Sequence, residues 1–404
     1  SVGGWGVSSD REDLKGTGIT LLREKEGKLA VLRDFYSDTV KGVVRAKPPV
    51  LTRQRLYVNP VNGKLYSAEG DGGVMKSFRQ LVEISPDTGK IKLVNLPMSA
   101  EEMAIGLDGC FYLRSDFEVA RFDPTSWREI PWDYGEERKA AGFDTPKAAL
   151  MGALPLPGTG RYPCWWHMGG MAINAKGQLA VVTCNFPNQG QMTTDENPYV
   201  KRGLMPAGGK PYTPTLYPGR VTGYETHVWD SHGKLIYEDA IPGFSTCDGI
   251  GLDKDANIYI LAAMNRIVDG KPYFLRWNET LVKMPPKKGK VISTAEGIPV
   301  KIGSEADLKG PADGQMWKAG KARVEGAEWF YGGVGLTDLP CICWNARPAL
   351  DFFARSFVPE IDHYSVAVLD TAGNLILRVG QYGNVDDGKP LDAVGGSQSP
   401  RSIG

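Results

Sequence analysis

The densest run of chemically able side chains is Tyr162-Pro163-Cys164-Trp165-Trp166-His167-Met168-Gly169-Gly170. Trp165 and Trp166 form a pair of indoles suited to stacking on a flat or sugar-like ligand, and equally suited to packing between structural units. His167 beside them can ligate a metal or move a proton. Asp248, in Cys247-Asp248-Gly249-Ile250, can cap its own turn or present its carboxylate to a polar site. Arg347, in Asn345-Ala346-Arg347, can bind an anion or sit solvated in a turn. Together these residues suit binding of a small or sugar-like ligand, with acid–base or metal-assisted chemistry beside it. Cys341-Ile342-Cys343 puts two thiols on one face of a strand, poorly placed for a disulfide. They read as small buried residues, with soft-metal binding as the alternative. Cys164 and Cys247 occupy similar places ahead of strands. GxSxG, HExxH, Walker, GxGxxG and CxxCH patterns are all missing, so serine hydrolase, zincin, nucleotide-binding and covalent-haem readings have no support.

What must position these residues is a repeated strand–turn–strand unit. Its clearest copy is Ile250-Gly251-Leu252-Asp253-Lys254-Asp255-Ala256-Asn257-Ile258-Tyr259-Ile260. The pattern returns at Tyr57–Tyr66, Met103–Tyr112 and Met171–Ala180, and a fifth unit starts near Gly335. Each inner hairpin is followed by an outer one, as in Leu81–Ile84 with Lys90–Leu93 and Ser365–Leu369 with Leu375–Val379. In the fourth unit the third strand is read at Phe274-Leu275-Arg276-Trp277. Four strands recurring at about 46 residues (Tyr57 to Met103) match the roughly 40–50 residues of a β-propeller blade. Five units and one unpaired hairpin, Ile19 to Leu32, imply an all-β, six-bladed propeller of four-stranded blades with one blade shared between chain ends. The inner half of that shared blade is expected from beyond residue 404 or from another chain. Residues 1–16 read as a loose arm and 17–404 as the propeller domain. Insertions at 186–220 and 285–325 are expected as loops outside the blades, at least one leaning over the channel mouth.

Composition narrows the function class. Lys plus Arg equals Asp plus Glu, 47 each, which argues against nonspecific nucleic-acid binding and a polybasic membrane anchor. No apolar run approaches the roughly 20 residues of a membrane span. Six cysteines in 404 residues are too few for a disulfide scaffold. The chain starts at Ser1 with neither Met nor signal peptide, as a processed product or fragment would. The compartment cannot be read directly; an extracytoplasmic one is favoured.

The fifth unit, with Val366-Ala367-Val368-Leu369-Asp370-Thr371-Ala372-Gly373-Asn374 and Gly380-Gln381-Tyr382-Gly383-Asn384, resembles an NHL repeat. Asp248-Gly249-Ile250-Gly251-Leu252-Asp253 resembles both NHL repeats and the SMP-30/gluconolactonase propellers. The resemblance implies a divalent metal, Ca or Zn, at the channel. In SMP-30-like propellers the matching Asp is a metal ligand, which points to Asp248, and hard cations prefer oxygen donors. The Glu and two Asn partners of that pattern are not recognisable. NHL-type amidating lyases use channel histidines as metal ligands, and His167 holds a comparable place. They need more than one, whereas His227, His232 and His363 lie in or beside outer strands. The expected function is therefore a propeller binding a small or carbohydrate-like ligand in its channel, with hydrolase or lyase chemistry at His167 and Asp248. Trp165, Trp166 and Arg347 would contact the ligand. The alternative is a non-catalytic propeller that binds a protein partner within a larger assembly.

Overall fold

The computed structural model describes residues 2–3, 19–25, 28–35, 56–69, 78–115, 118–132, 154–155, 170–185, 223–243, 247–273, 278–293, 308–315, 320–335, 348–360, 363 and 365–380. They form an all-β protein of antiparallel sheets. Five sheets have four strands joined in simple chain order. The first holds Tyr57–Val58, Leu65–Glu69, Phe78–Ile84 and Ile91–Ala100. The second holds Glu102–Ile105, Phe111–Arg114, Glu118–Phe122 and Leu154–Pro155. The third holds Met171–Ile173, Leu179–Asn185, Gly223–Trp229 and Leu235–Tyr237. The fourth holds Cys247–Leu252, Ile258–Ala262, Glu279–Met284 and Trp329–Val334. The fifth holds Ala349–Leu350, Ser356–Glu360, Ser365–Leu369 and Leu375–Val379.

The central strands, such as Phe111–Arg114, Ile258–Ala262 and Glu279–Met284, are buried on both faces. Alternate residues point to opposite faces. Thus Phe111 and Leu113 pack on the first sheet with Tyr66 and Leu81, while Tyr112 joins Leu179 and Val181 of the third. Ala180 and Val182 turn the other way, onto Ile258 and Ile260 of the fourth. Tyr259 and Leu261 meet Val358 and Ala367 of the fifth. The sheets therefore stack face to face in a row, and the first strand of each lies beside the first strand of the next. Gly251 is where the fourth and fifth inner strands come closest. A Cβ there would lie 2.6 Å from Leu350 Cδ1.

The third, fourth and fifth inner hairpins close on one turn type, in which an Asx carboxyl or amide oxygen caps the backbone. Asn174 Oδ1 accepts from Lys176 N and Gln178 N at 3.0 and 2.9 Å. Asp253 and Asp351 do the same two and four residues on. The fourth turn residue is left-handed, at Gly177 (φ 72), Ala256 (φ 62) and Ala354 (φ 57). The polar residue seen at each of these three turns in the sequence is thus the cap itself.

Three sequence expectations change. The third strand of the fourth sheet is Glu279–Met284, paired to Ile258–Ala262, whereas Phe274–Trp277 lies outside the described residues. Burial on both faces admits Glu279, Thr280 and Lys283 within this strand, so the more apolar-looking neighbour misled. Trp329–Val334 closes the fourth sheet, and the fifth sheet's inner pair falls later than Gly335, at Ala349–Leu350 and Ser356–Glu360. The segment 285–325 is not simply a loop. Lys290–Ser293, Gly314–Gln315 and Lys321–Glu325 join Asn265–Val268 and Lys271–Pro272 in a five-stranded sheet. Its described part packs outward: Arg266 lies over the Phe330 ring at 4.3 Å, and Val291 N donates to Pro242 O. The segment 186–220 lies outside the described residues. At the N-terminus Val2–Gly3 pairs with Ile19–Lys25, which pairs with Lys28–Phe35.

Candidate functional site

An up-and-down sheet has two unlike ends. Turns between strands one and two, and between three and four, share one end. Connections between strands two and three, and from each sheet to the next, share the other. Here the first end is a set of tight capped turns, at 59–64, 106–110, 174–178, 253–257 and 351–355. The second end carries long connections, among them 156–169, 186–222 and 336–347. Long connections that a rigid scaffold gathers at one end are the usual place for binding residues.

Charge is buried at this long-loop end. Glu102 opens the innermost strand of the second sheet, directly across from Arg114. Their exposures are 2% and 0%. Tyr57, on the first sheet's innermost strand, donates its hydroxyl to Glu102 Oε1 at 3.0 Å, and Met103 N donates to the same oxygen at 3.2 Å. Glu101 N donates to Arg114 O at 2.6 Å. Arg114 Nη1 in turn donates to Gly170 O at 3.4 Å, where the third sheet's innermost strand begins. Two buried charged residues, opposite each other in register, thus reach from the second innermost strand to the first through Tyr57 and to the third through Gly170. Further round, Asn278 Nδ2 donates to Gly335 O at 3.4 Å. Glu360 accepts from Tyr331 Oη at 2.7 Å and from Arg378 at 2.6 and 3.2 Å.

Asp248 falls inside Cys247–Leu252, and its backbone is the extra residue of a register shift between Cys247 and Gly249. Such a bulge re-aims the chain next to binding sites. Its side chain lies outside the described part. Trp165, Trp166, His167 and Arg347 lie outside the described residues, as do Cys164, Cys341 and Cys343. Counted back from the capping residues, Asp248 stands five before Asp253 and His167 seven before Asn174, so the two are offset by two residues. Glu101 stands five before Gly106, the same count as Asp248. The sequence reading placed function just before each inner strand, yet passed over Glu101, Glu102 and Arg114. Applying that rule to the second unit would have found the two glutamates. Arg114 needed the strand pairing.

A second buried group sits on the third sheet. Asp239 N donates to His227 Nδ1 at 3.3 Å, so the imidazole proton sits on Nε2, 3.6 Å from Glu225 Oε2. Burial pushes the Glu225 carboxyl well above the usual range, with help from the charges of Asp239 and Glu238. Burial, then Lys287, pushes His227 down to about 3. Both are held neutral. Glu225 then contributes stability that is full below about pH 4.5 and lost as pH rises; His227 contributes stability that is full above about pH 6.5 and lost as pH falls towards 3. The two slopes cancel between those values, leaving a plateau with a fall on either side. Glu225→Gln is expected to melt higher than the parent chain, by a margin that is absent in acid and widens as pH rises above about 4.5. Melting curves across pH check this; a margin that does not change with pH would refute it.

Among the described residues no three His, Cys, Asp or Glu side chains gather closely enough to hold a metal ion. No helix among them is long and apolar enough to cross a membrane.

The sequence matches no protein-family model, and no curated protein matches it. Solved structures with some likeness include a virginiamycin B lyase from Staphylococcus aureus (11% identity, 80% of this chain and 68% of that one, TM-score 0.34). A calcium-binding regucalcin from Agrobacterium tumefaciens aligns at 14% identity over 80% and 72%, TM-score 0.35. A putative gluconolactonase aligns at 11% identity over 80% and 76%, TM-score 0.36. At these scores the likeness adds nothing to the argument from strand order and packing.

Proposed function

We propose that the chain is a six-bladed β-propeller that binds a small, sugar-like ligand at the long-loop end of its central channel. The observation that carries this reading is the buried Tyr57–Glu102–Arg114–Gly170 connection at the starts of three neighbouring innermost strands. Burying charged side chains there is costly unless their geometry is well satisfied, and the third of these strand starts directly follows the segment that holds His167. Ring closure by the N-terminal strands finds support in the first sheet. Leu65, Val82 and Ile84, on its face away from the second sheet, are buried, so another part of the chain covers them.

In this reading Trp165 and Trp166 stack on the ligand, Arg347 binds an anionic group, and His167 and Asp248 carry a hydrolase or lyase step. A divalent metal would be held by His167 and Asp248, since the described carboxylates do not assemble a site; bound there, it would polarise the ligand. The test is metal content and binding of a panel of mono- and disaccharides, before and after chelation. Asp248→Asn and His167→Ala are each expected to lose binding at least about tenfold while their melting curves hold. Binding unchanged in both folded variants would leave the non-catalytic platform as the better reading. One observation favours that second reading: large apolar side chains are exposed at the opposite, tight-turn end.

A further inference from the structure

The tight-turn end is built as a rim. Asn59 Nδ2 donates to Gly109 O at 2.9 Å, joining the first and second turns, and Asn174 Nδ2 donates to Asp253 O at 2.7 Å, joining the third and fourth. Close approach at Gly251 and Leu350 holds the fifth beside them. On this rim Val61 is 64% exposed, Leu107 41%, Phe352 65% and Phe353 73%. Two adjacent phenylalanines at the tip of a tight turn do nothing for the sheet beneath them. The turn itself is fixed by Asp351 Oδ1, which accepts from Phe353 N and Arg355 N at 2.9 Å each, so the rings are presented on rigid backbone. Apolar surface of this kind marks a contact site.

The rim's charges say what meets it. Lys254 Nζ lies 2.7 Å from Asp255, with Lys176 at 3.9 Å, so both signs stand side by side on neighbouring tips. An anionic lipid surface or a nucleic acid would call for an excess of positive charge. The rim has no such excess, and the whole chain carries formal net charge zero. Zero net charge removes the long-range repulsion that keeps identical copies apart. A two-fold axis beside the fourth turn would set Lys254 of one copy against Asp255 of the other, as an isologous contact requires. We propose that this rim of inner-turn tips is the surface through which two copies of the chain pair face to face. The pairing leaves the long-loop end of each copy open to ligand.

Sedimentation velocity of the full chain over a range of concentrations tests it. The parent chain is expected to form dimers. The double variant Phe352→Ser/Phe353→Ser is expected to weaken the dimer about thirtyfold or more, as loss of buried aromatic anchors does, with its circular dichroism unchanged. Lys254→Asp, in an exposed turn, makes the tip acidic in both copies and is expected to weaken pairing as well, which guards against a fold defect in the first variant. A parent chain that stays monomeric, or a dimer that neither variant weakens, overturns the proposal. So does binding of a monomer to phosphatidylcholine–phosphatidylserine vesicles that the double variant loses, which would assign the rim to lipid.

Discussion

Arg114→Met should destabilise the protein by about 3 kcal/mol, the cost of removing a wholly buried charged donor from Gly170 O and a positive charge from the position across from Glu102. Glu102 would remain buried opposite an apolar side chain, holding only the Tyr57 hydroxyl and the Met103 N–H of its described contacts. Gly170 O would lose its guanidinium donor, and with it the tie to the third sheet. Arg114→Lys keeps the charge but not the planar fork and should fall between. Urea denaturation measures each loss. The stronger check is the double variant Arg114→Met/Glu102→Met. If the pair acts as a unit, adding the second change should recover much of what the first cost. Losses that simply add would mean that the two side chains do not sense each other.

Trp132→Ala should cost a similar amount, about 3–5 kcal/mol. The indole is wholly buried between the second and third sheets, with Tyr112, Leu179, Val181 and Trp229 around it. Its ring centroid lies 5.7 Å from that of Tyr112, Arg121 sits over it at 4.8 Å, and Nε1 donates to Val119 O at 3.1 Å. No neighbouring side chain is free to fill so large a void. Trp132→Phe keeps most of the volume but strands Val119 O, for a loss of about 1 kcal/mol. Calorimetry or urea denaturation separates the two. An Ala variant no worse than the Phe variant would show that packing between these sheets is not what Trp132 supplies.

Local features were open to a reading of the chain alone. Asn174, Asp253, Asp351 and Asp370 are turn caps because a short polar side chain reaches the backbone two and four residues ahead, and Asn59 caps two and three ahead. The outer hairpin Ser365–Leu369 with Leu375–Val379 was placed to the residue. Hairpin order within the five sheets and the all-β class follow from the same short-range rules. Reading failed where a strand's environment outweighed its composition. Glu279–Met284 carries Glu, Thr and Lys, yet it is a central strand because neighbouring sheets cover both its faces. The strands within 285–325 were hidden because their partners, such as Asn265–Val268, lie in a different connection. The candidate site divides in the same way. A charged residue just ahead of an inner strand is visible in the chain, as at Asp248 and, unheeded, at Glu101 and Glu102. That Arg114 faces Glu102 is a fact of register, and that it reaches Gly170 depends on how two sheets pack. Hydrogen bonds to residues a few places away are set by backbone geometry, which the local sequence encodes. The partner of a buried charge is chosen among residues dozens of positions apart, and only the packed fold brings them together.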